Sequence, residues 1–373
     1  MADLIGSIGN DFIIGTKDSD DILGDPYDIG NLLSSGKGGN DFIVGRSGHE
    51  SIFGDAVQIA GNGLGGNDWI DGGSESEYIG GDAFIMSENA RGGDDWIFAG
   101  SGGGAIYGDA ASDMTNNARG GDDHLIGGPD SDGLTGDSFL MDGNAQGGDD
   151  WLVGGGGNDL LIGDAGDGLG GPATRGGNDR LWGGEGNDIV IGDALHGGSG
   201  GDDWLAGGEG NDELSGDIGI LTVLESGGLT RRGGNDWLEG GTGDDFLRGD
   251  APHMLNAATA GNDVLIGGQG NDRMLGDADR YQNFAPVRGM DRFVFHSGSG
   301  QDVIGDFEND KDSIDLSAYA GINSFEQIHE HARSVEGDTV IDFGVAVGRA
   351  AGEDLLSLTG FAIDDLSAND FEF

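Results

Sequence analysis

Residues Gly176 to Ala194 read GGNDRLWGGEGNDIVIGDA, and much of the remaining chain repeats this segment. It divides into Gly-Gly-Asn-Asp, three residues, Gly-Gly-x-Gly-Asn-Asp, three residues and Gly-Asp-Ala. The first aspartate of each copy falls at Asp11, Asp41, Asp68, Asp95, Asp123, Asp150, Asp179, Asp203, Asp236, Asp263 and Asp291. Most steps are 27 or 28 residues, with outliers of 24 at Asp203 and 33 at Asp236. Nine residues later comes a second acidic position, at Asp20, Glu50, Glu77, Asp132, Asp159, Asp188, Asp212, Asp245 and Asp272. Gly104 interrupts that second series, and Asp302 follows Asp291 by eleven.

The residue two after each aspartate is apolar, from Ile13 to Phe293 in the first series and from Ile22 to Ile304 in the second. One branched residue in a three-residue strand, flanked by outward positions, is the period-two mark of a half-buried strand. No unit can bury its apolar residue alone. Stacked units do so with two facing parallel ladders, which is the logic of a solenoid. The expected fold is all-β, a parallel β-solenoid of about eleven turns and, at about 4.8 Å per strand, about 50 Å long.

The 373 residues include 82 glycines, 5 prolines and no cysteine, and they carry a formal charge of −52. The glycines follow no three-residue period, which excludes collagen. Without cysteine there is no disulfide scaffold, thiol catalysis or Cys-ligated zinc. A polyanion repels phosphates, so nucleic acid is not an expected partner. No apolar run approaches the roughly 20 residues of a membrane-spanning helix. The start, MADLIGSIGN, shows neither the basic nor the apolar region of a cleavable secretory signal. High charge and low hydrophobicity would suit a disordered chain if Gly and Asp were scattered; their fixed register argues for a fold.

Chain reversals between such short strands ask for positive φ and close loop approach, which favour glycine. The aspartates need another reason. In-register stacking brings like carboxylates one strand spacing apart, which is repulsive unless a cation sits between successive loops. Carboxylate and carbonyl oxygens select calcium over zinc or copper. The chain is therefore expected to be unfolded without Ca²⁺ and folded with it.

Gly183-Gly184-Glu185-Gly186-Asn187-Asp188-Ile189-Val190-Ile191 matches GGxGxDxUx, with U apolar, at every position. From about Gly9 to Phe307 the chain resembles the repeats-in-toxin (RTX) family. The resemblance implies a right-handed parallel β-roll with Ca²⁺ between adjacent loops, the sixth-position Asp giving its carboxylate and the turns their carbonyls. Carried over, the ligands of the short loops are Gly154, Gly156 and Asp159; Gly183, Glu185 and Asp188; Gly207, Glu209 and Asp212; Gly240, Thr242 and Asp245; Gly267, Gln269 and Asp272. Stacking would make four or more consecutive sites on that edge. Earlier loops depart from the pattern, with Glu50, Glu77 and Gly104 in the Asp position and Pro129-Asp130 inside another loop, so ions there are expected to be weak or missing.

On the other edge, roughly nine residues are usually inserted after Gly-Asp-Ala, as in GDAFIMSENARGGDD at Gly81–Asp95. Asp25, Asp55, Asp82, Asp109, Asp137, Asp164, Asp193, Asp217, Asp250 and Asp277 open these inserts. Each is expected to pair with a Gly-Gly-x-Asp aspartate as a Ca²⁺ ligand. About a dozen Ca²⁺ would offset roughly half of the net charge.

Residues 1–307 form the expected roll. Residues 308–373 contain no nonapeptide, and FENDKDSIDLSAYAG, the helix-like INSFEQIHEHARSV, the strand-like DTVIDF and LSANDFEF suggest a small α+β cap. They resemble the C-terminal cap and uncleaved signal of proteins exported by type I secretion machinery. On that route a chain kept unfolded at cytosolic Ca²⁺ would fold outside the cell.

Signals for catalysis are weak. His329 and His331 lie at i, i+2 and are not the His-Glu-x-x-His of a zinc protease, and neither a nucleophile elbow nor a phosphate loop occurs. With repeats starting at Gly9, no separate catalytic domain is expected ahead of them. Phe12, Phe42, Trp69, Trp96, Trp151, Trp204 and Trp237 each follow a first aspartate and so point outward on one face. Such a row could stack on sugars or on a second subunit, but the inserts, with Phe84-Ile85-Met86, Phe139-Leu140-Met141 and Ile218–Leu224, are expected to fold over it as a second small core. The functional expectation is a secreted, non-enzymatic calcium-binding β-roll acting as an extracellular matrix, surface-layer or adhesion protein through self-assembly or cell-surface polysaccharide. The alternative is a soluble secreted effector or lectin-like binder, and less so a polysaccharide-acting enzyme.

Overall fold

The computed structural model describes residues 3–26, 36–75, 78–169, 174–194, 198–217, 232–251, 253–254, 259–278, 280–281 and 287–373. Its strands form two long sheets facing each other across one core. The first sheet takes the strands that follow each Gly-Gly-x-Asp, from Phe12–Ile14 through Trp151–Gly156 to Arg292–Val294. The second takes those after the short loops, from Asp21–Leu23 through Ile189–Ile191 to Gln301–Ile304. Pairing is parallel and in register, with Ile97 between Ile70 and Leu125 and Val190 between Leu161 and Leu214. The fold is the all-β parallel solenoid that the spacing predicts.

The sheets hold 13 and 15 strands where the repeat alone predicts eleven. Asp3–Ile5 begins the second sheet, and residues beyond 307 extend both. Ser313–Asp315 and Phe371–Glu372 join the first, while Leu355–Leu358, Asp338–Asp342 and Ala332–Val335 join the second. The ladder residues Ile43, Ile52, Leu181, Val190, Leu238 and Leu247 are fully buried, each stabilising by about 1.5–3 kcal/mol. Their core runs on through Phe293 and Phe307 into Ile314, Phe343 and Phe361. In the cap, the helix-like run yields one short helix, Phe325–His329, whose N-terminus is capped by the Ser324 side chain. His331 lies beyond it, beside a strand that pairs antiparallel with Asp338–Asp342.

The inserts depart most from expectation. Ala56–Ile59, Ala83–Met86, Ala110–Met114, Ser138–Met141 and Ala165–Leu169 form a third, five-stranded parallel sheet. Ile59, Met86, Met114, Met141 and Leu169 make its own core, with alanines filling the gaps. It lies against the outer face of the second sheet: Phe84 packs 5.9 Å from Phe53, and the Tyr78 hydroxyl donates to the Ala111 carbonyl. Each of these five inserts leaves the end of a second-sheet strand and folds back over that sheet, so the aromatic row on the first sheet is not its floor. Trp96, Trp151, Trp204 and Trp237 are exposed. Ile218–Leu224 lie outside the described residues.

Candidate metal centres

Two aspartate ladders meet on the insert edge. The Asp41 N–H donates to Asp68 Oδ1 at 2.6 Å, Asp68 N–H to Asp95 at 2.7 Å, and Asp150 N–H to Asp179 at 2.7 Å. The same link joins Asp11 to Asp41 and runs from Asp179 through Asp203 and Asp236 to Asp263. In the second ladder, a Gly-Asp-Ala carboxylate accepts from the glycine two residues before the next first-series aspartate, as Gly66 N–H to Asp55 at 2.7 Å and Gly261 N–H to Asp250 at 2.9 Å. Asp109 and Asp277 are held in the same way by Gly121 and Gly289.

Each carboxylate thus spends one oxygen on the backbone. The other is stranded: Oδ2 of Asp41, Asp68, Asp95, Asp123, Asp150, Asp179, Asp203, Asp236 and Asp263 is buried without a hydrogen-bond partner. So is one oxygen each of Asp55, Asp82, Asp137, Asp164, Asp193, Asp217 and Asp250. The ladders interleave. Carboxylate oxygens of Asp25, Asp41 and Asp55 lie within 4.8 Å of one another, and so do those of Asp55, Asp68 and Asp82. The backbone closes around them: a Cβ on Gly54 would overlap both the Gly81 carbonyl oxygen and Asp68 Oδ2.

Burial, reinforced by neighbouring carboxylates, pushes these groups up. Asp41 and Asp109 rise to about 7, Asp164 to about 7 and Asp217 to about 6, burial being the largest cause in each. Asp68, Asp95, Asp179, Asp203 and Asp236 stand well above the ordinary range for the same reason. Buried carboxylates in that position must take up either protons or a cation.

The short-loop edge repeats the device. Asp132 N–H donates to Asp159 Oδ1 at 2.8 Å, and the chain of links continues through Asp188, Asp212, Asp245 and Asp272 to Asp302. Oδ2 of Asp159, Asp188, Asp212, Asp245 and Asp272 is again stranded. A Cβ on Gly154, Gly183, Gly207, Gly240 or Gly267 would overlap that oxygen, so only glycine leaves the slot open. The carbonyls of Glu209, Thr242 and Gln269 each accept an N–H from the loop below at 2.8 Å and keep a second lone pair. Gly156 and Glu185 are register partners in the first sheet. Burial lifts Asp159 and Asp245 to about 7 and Asp212 and Asp272 to about 6. Where the pattern fails, the carboxylate is gone: Gly104 N–H donates to Asp132 Oδ1 from a loop with no acid of its own.

Two ladder members escaped the sequence reading. Asp306 accepts N–H groups from Gly276 at 2.9 Å and Asp277 at 3.0 Å, and Asp312 accepts from Asp291 at 3.1 Å. The available signal was Gly305-Asp306, a final Gly-Asp step of the repeat lacking its alanine. Hard oxygens, dry slots and glycine walls together fit Ca²⁺ on both edges.

A parallel solenoid with stranded carboxylates along both edges defines a metal-loaded repeat roll. The RTX calcium-binding nonapeptide repeat (4 copies) profile matches residues 3–26, 34–56, 144–169, 174–196, 197–220, 232–251 and 257–281. The chain is an RTX-repeat protein, and its two-sheet solenoid is the repeat's β-roll. Among solved structures it is similar to the extracellular lipase LipA from Serratia marcescens, at 17% identity and a TM-score of 0.23, over 81% of this chain and 45% of that one. The chain thus spans less than half the length of that lipase. No curated protein matches it. Among the described residues no helix is long and apolar enough to cross a membrane.

Proposed function

We propose that this protein is a secreted, non-enzymatic β-roll that folds on Ca²⁺ outside the cell and serves as an extracellular matrix, surface-layer or adhesion protein. The observation that carries the calcium part is the row of buried, partnerless Oδ2 atoms from Asp41 to Asp263. In this reading each gap on the insert edge holds an ion between one Gly-Gly-x-Asp carboxylate and the two Gly-Asp-Ala carboxylates beside it, as Asp68 lies between Asp55 and Asp82. On the short-loop edge the ligands are Asp159, Asp188, Asp212, Asp245 and Asp272 with the loop carbonyls. About a dozen ions result, each needing 6–8 oxygens. Residues 308–373 act as the terminal cap and carry the type I export signal. Ca²⁺ entering the slots replaces the protons that the raised carboxylates otherwise hold, so folding waits for a calcium-rich medium.

Size-exclusion chromatography with light scattering, run on the Ca²⁺-loaded chain, tests the structural role. Oligomers or fibres that dissolve in EDTA support it. A compact monomer at every concentration favours the second reading, a soluble binder of polysaccharide, which the exposed indoles recommend.

A further inference from the structure

The first sheet's outer face is the exception on an acidic molecule. Of the 22 side chains that its strands from Phe12–Ile14 to Arg292–Val294 turn outward at their first and third positions, only Asp71 and Glu239 are acidic, on a chain with 69 Asp and Glu. At its N-terminal end the rings cover one another: Phe42 stacks on Trp69 at 4.2 Å with 1° between planes. Phe42 is covered on both faces, by Phe12 and by Trp69. The middle of the face differs. Trp151, Arg180, Trp204 and Trp237 follow one another in register, and Trp182 stands in the next column beside Ala206. Among the described residues neither Trp182, Trp204 nor Trp237 has another ring stacked on it. Trp182 is 51% and Trp151 49% exposed, while Trp237 and Trp204 remain 40% and 38% exposed.

We propose that Trp151, Trp182, Trp204 and Trp237, grouped around Arg180, form a binding platform for an extended neutral polysaccharide. Open indole faces carry negative π density that attracts the C–H faces of pyranose rings. The platform repeats every strand, about 4.8 Å, a step comparable with the advance of one sugar in an extended glycan. Arg180 and Glu239 supply donors and acceptors for hydroxyl groups at its centre and rim. Charge selects the class of ligand: even with calcium bound the chain stays acidic and repels acidic glycans, whereas a neutral one meets first and third strand positions that hold only Asp71 and Glu239 as carboxylates. An apolar patch left open on a secreted roll marks an interaction site. This inference deepens the binding reading above and rests on the roll being folded by calcium.

The test is affinity electrophoresis of the full, Ca²⁺-loaded chain through native gels containing hydroxyethylcellulose, mixed-linkage β-glucan or dextran, with alginate as the acidic probe. Retardation by at least one neutral polysaccharide and none by alginate is expected. Trp182→Ala and Trp204→Ala should each weaken it about tenfold, and Phe42→Ala, whose ring is sandwiched between Phe12 and Trp69, should leave it unchanged. A folded chain that no neutral gel retards, or retardation that survives Trp182→Ala, overturns the platform. So does a dimer of the wild type that Trp182→Ala abolishes, which would make the face a contact between copies. A chain that stays coil in Ca²⁺ by circular dichroism sinks the calcium reading as well, so the two failures are distinguishable.

Discussion

The backbone N–H of Asp150 donates to Asp179 Oδ1 at 2.7 Å, while Asp179 Oδ2 is buried with no hydrogen-bond partner. One oxygen of a single carboxylate ties two turns together and the other waits for a cation. Asp179→Asn keeps an acceptor for Asp150 but puts an NH₂ donor into the metal slot. In Ca²⁺ this variant should lose about 1–3 kcal/mol of stability, because a charged ligand is gone. In EDTA at pH 4.5, where protons hold the metal-free roll together, it should be about as stable as wild type, since a neutral amide needs no proton there. Thermal melts in the two buffers read the difference; equal losses in the two would mean that Asp179 is only a hydrogen-bonding residue.

Acid and calcium should substitute for each other. Asp159 and Asp245 rise to about 7 and Asp212 to about 6 in the folded, metal-free chain, burial being the main cause. The unfolded chain has ordinary carboxyl values near 3.9. Between those limits the folded state binds more protons, so metal-free stability is full below about pH 4 and is lost as pH rises through 6 to 7. In EDTA, β-structure should therefore increase as pH falls from 7.5 to 4.5. With metal the direction reverses: the Ca²⁺ midpoint should climb over the same fall in pH, because protons compete for the same oxygens. Circular dichroism at stepped pH, with and without Ca²⁺, checks both arms.

Glycine positions should divide sharply by space. A Cβ on Gly192 would overlap the Gly216 carbonyl oxygen and Asp203 Oδ2, whereas at Gly133 the nearest heavy atom is 3.7 Å away. Gly192→Ala should cost about 1–3 kcal/mol through overpacking and weaken Ca²⁺ binding. Gly133→Ala, in a strand, should be neutral or slightly stabilising. Urea melts in saturating Ca²⁺ measure the pair, and equal effects would mean that the slots relax more freely than their walls suggest.

The last turn should depend on Asp306. Its carboxylate accepts from Gly276, Asp277 and Ala278 at 2.9, 3.0 and 3.3 Å, so it closes the insert-edge ladder with backbone hydrogen bonds. Asp306→Ala strands those N–H groups and should cost about 1–3 kcal/mol. Hydrogen exchange should locate the loss in the turn around Met274 and leave the turn around Ile97 protected. Uniform loss along the roll would show instead that the ladder unfolds as one unit.

How much of this was legible beforehand varies by element. The two ladders were, because Ile43 and Ile52 sit two residues after an acid, as do their counterparts in every copy but the one at Gly104, and a period that regular admits one stacking. The aspartate series were too, since Asp41 and Asp55 stand 14 residues apart and their counterparts keep that offset. The insert sheet was not. Its strands do not alternate cleanly, and Ala110–Met114 carries a register shift against both neighbours. A signal existed in Ile59, Met86 and Met141, each three residues after the position closing Gly-Asp-Ala or Gly-Asp-Ser. The side on which the inserts fold was beyond sequence reading. It depends on Phe53 and Tyr78 offering an apolar floor on the second sheet, so the indoles of the first stayed open.

The most direct test is a Ca²⁺ titration of EDTA-treated protein at neutral pH, followed by far-ultraviolet circular dichroism and light scattering together. A coil that turns cooperatively into β-structure, and shrinks as about a dozen ions bind, is the expected result. β-structure already complete in EDTA at pH 7.5 would contradict the account, and the stranded oxygens of Asp68 and Asp179 would then need a partner other than calcium.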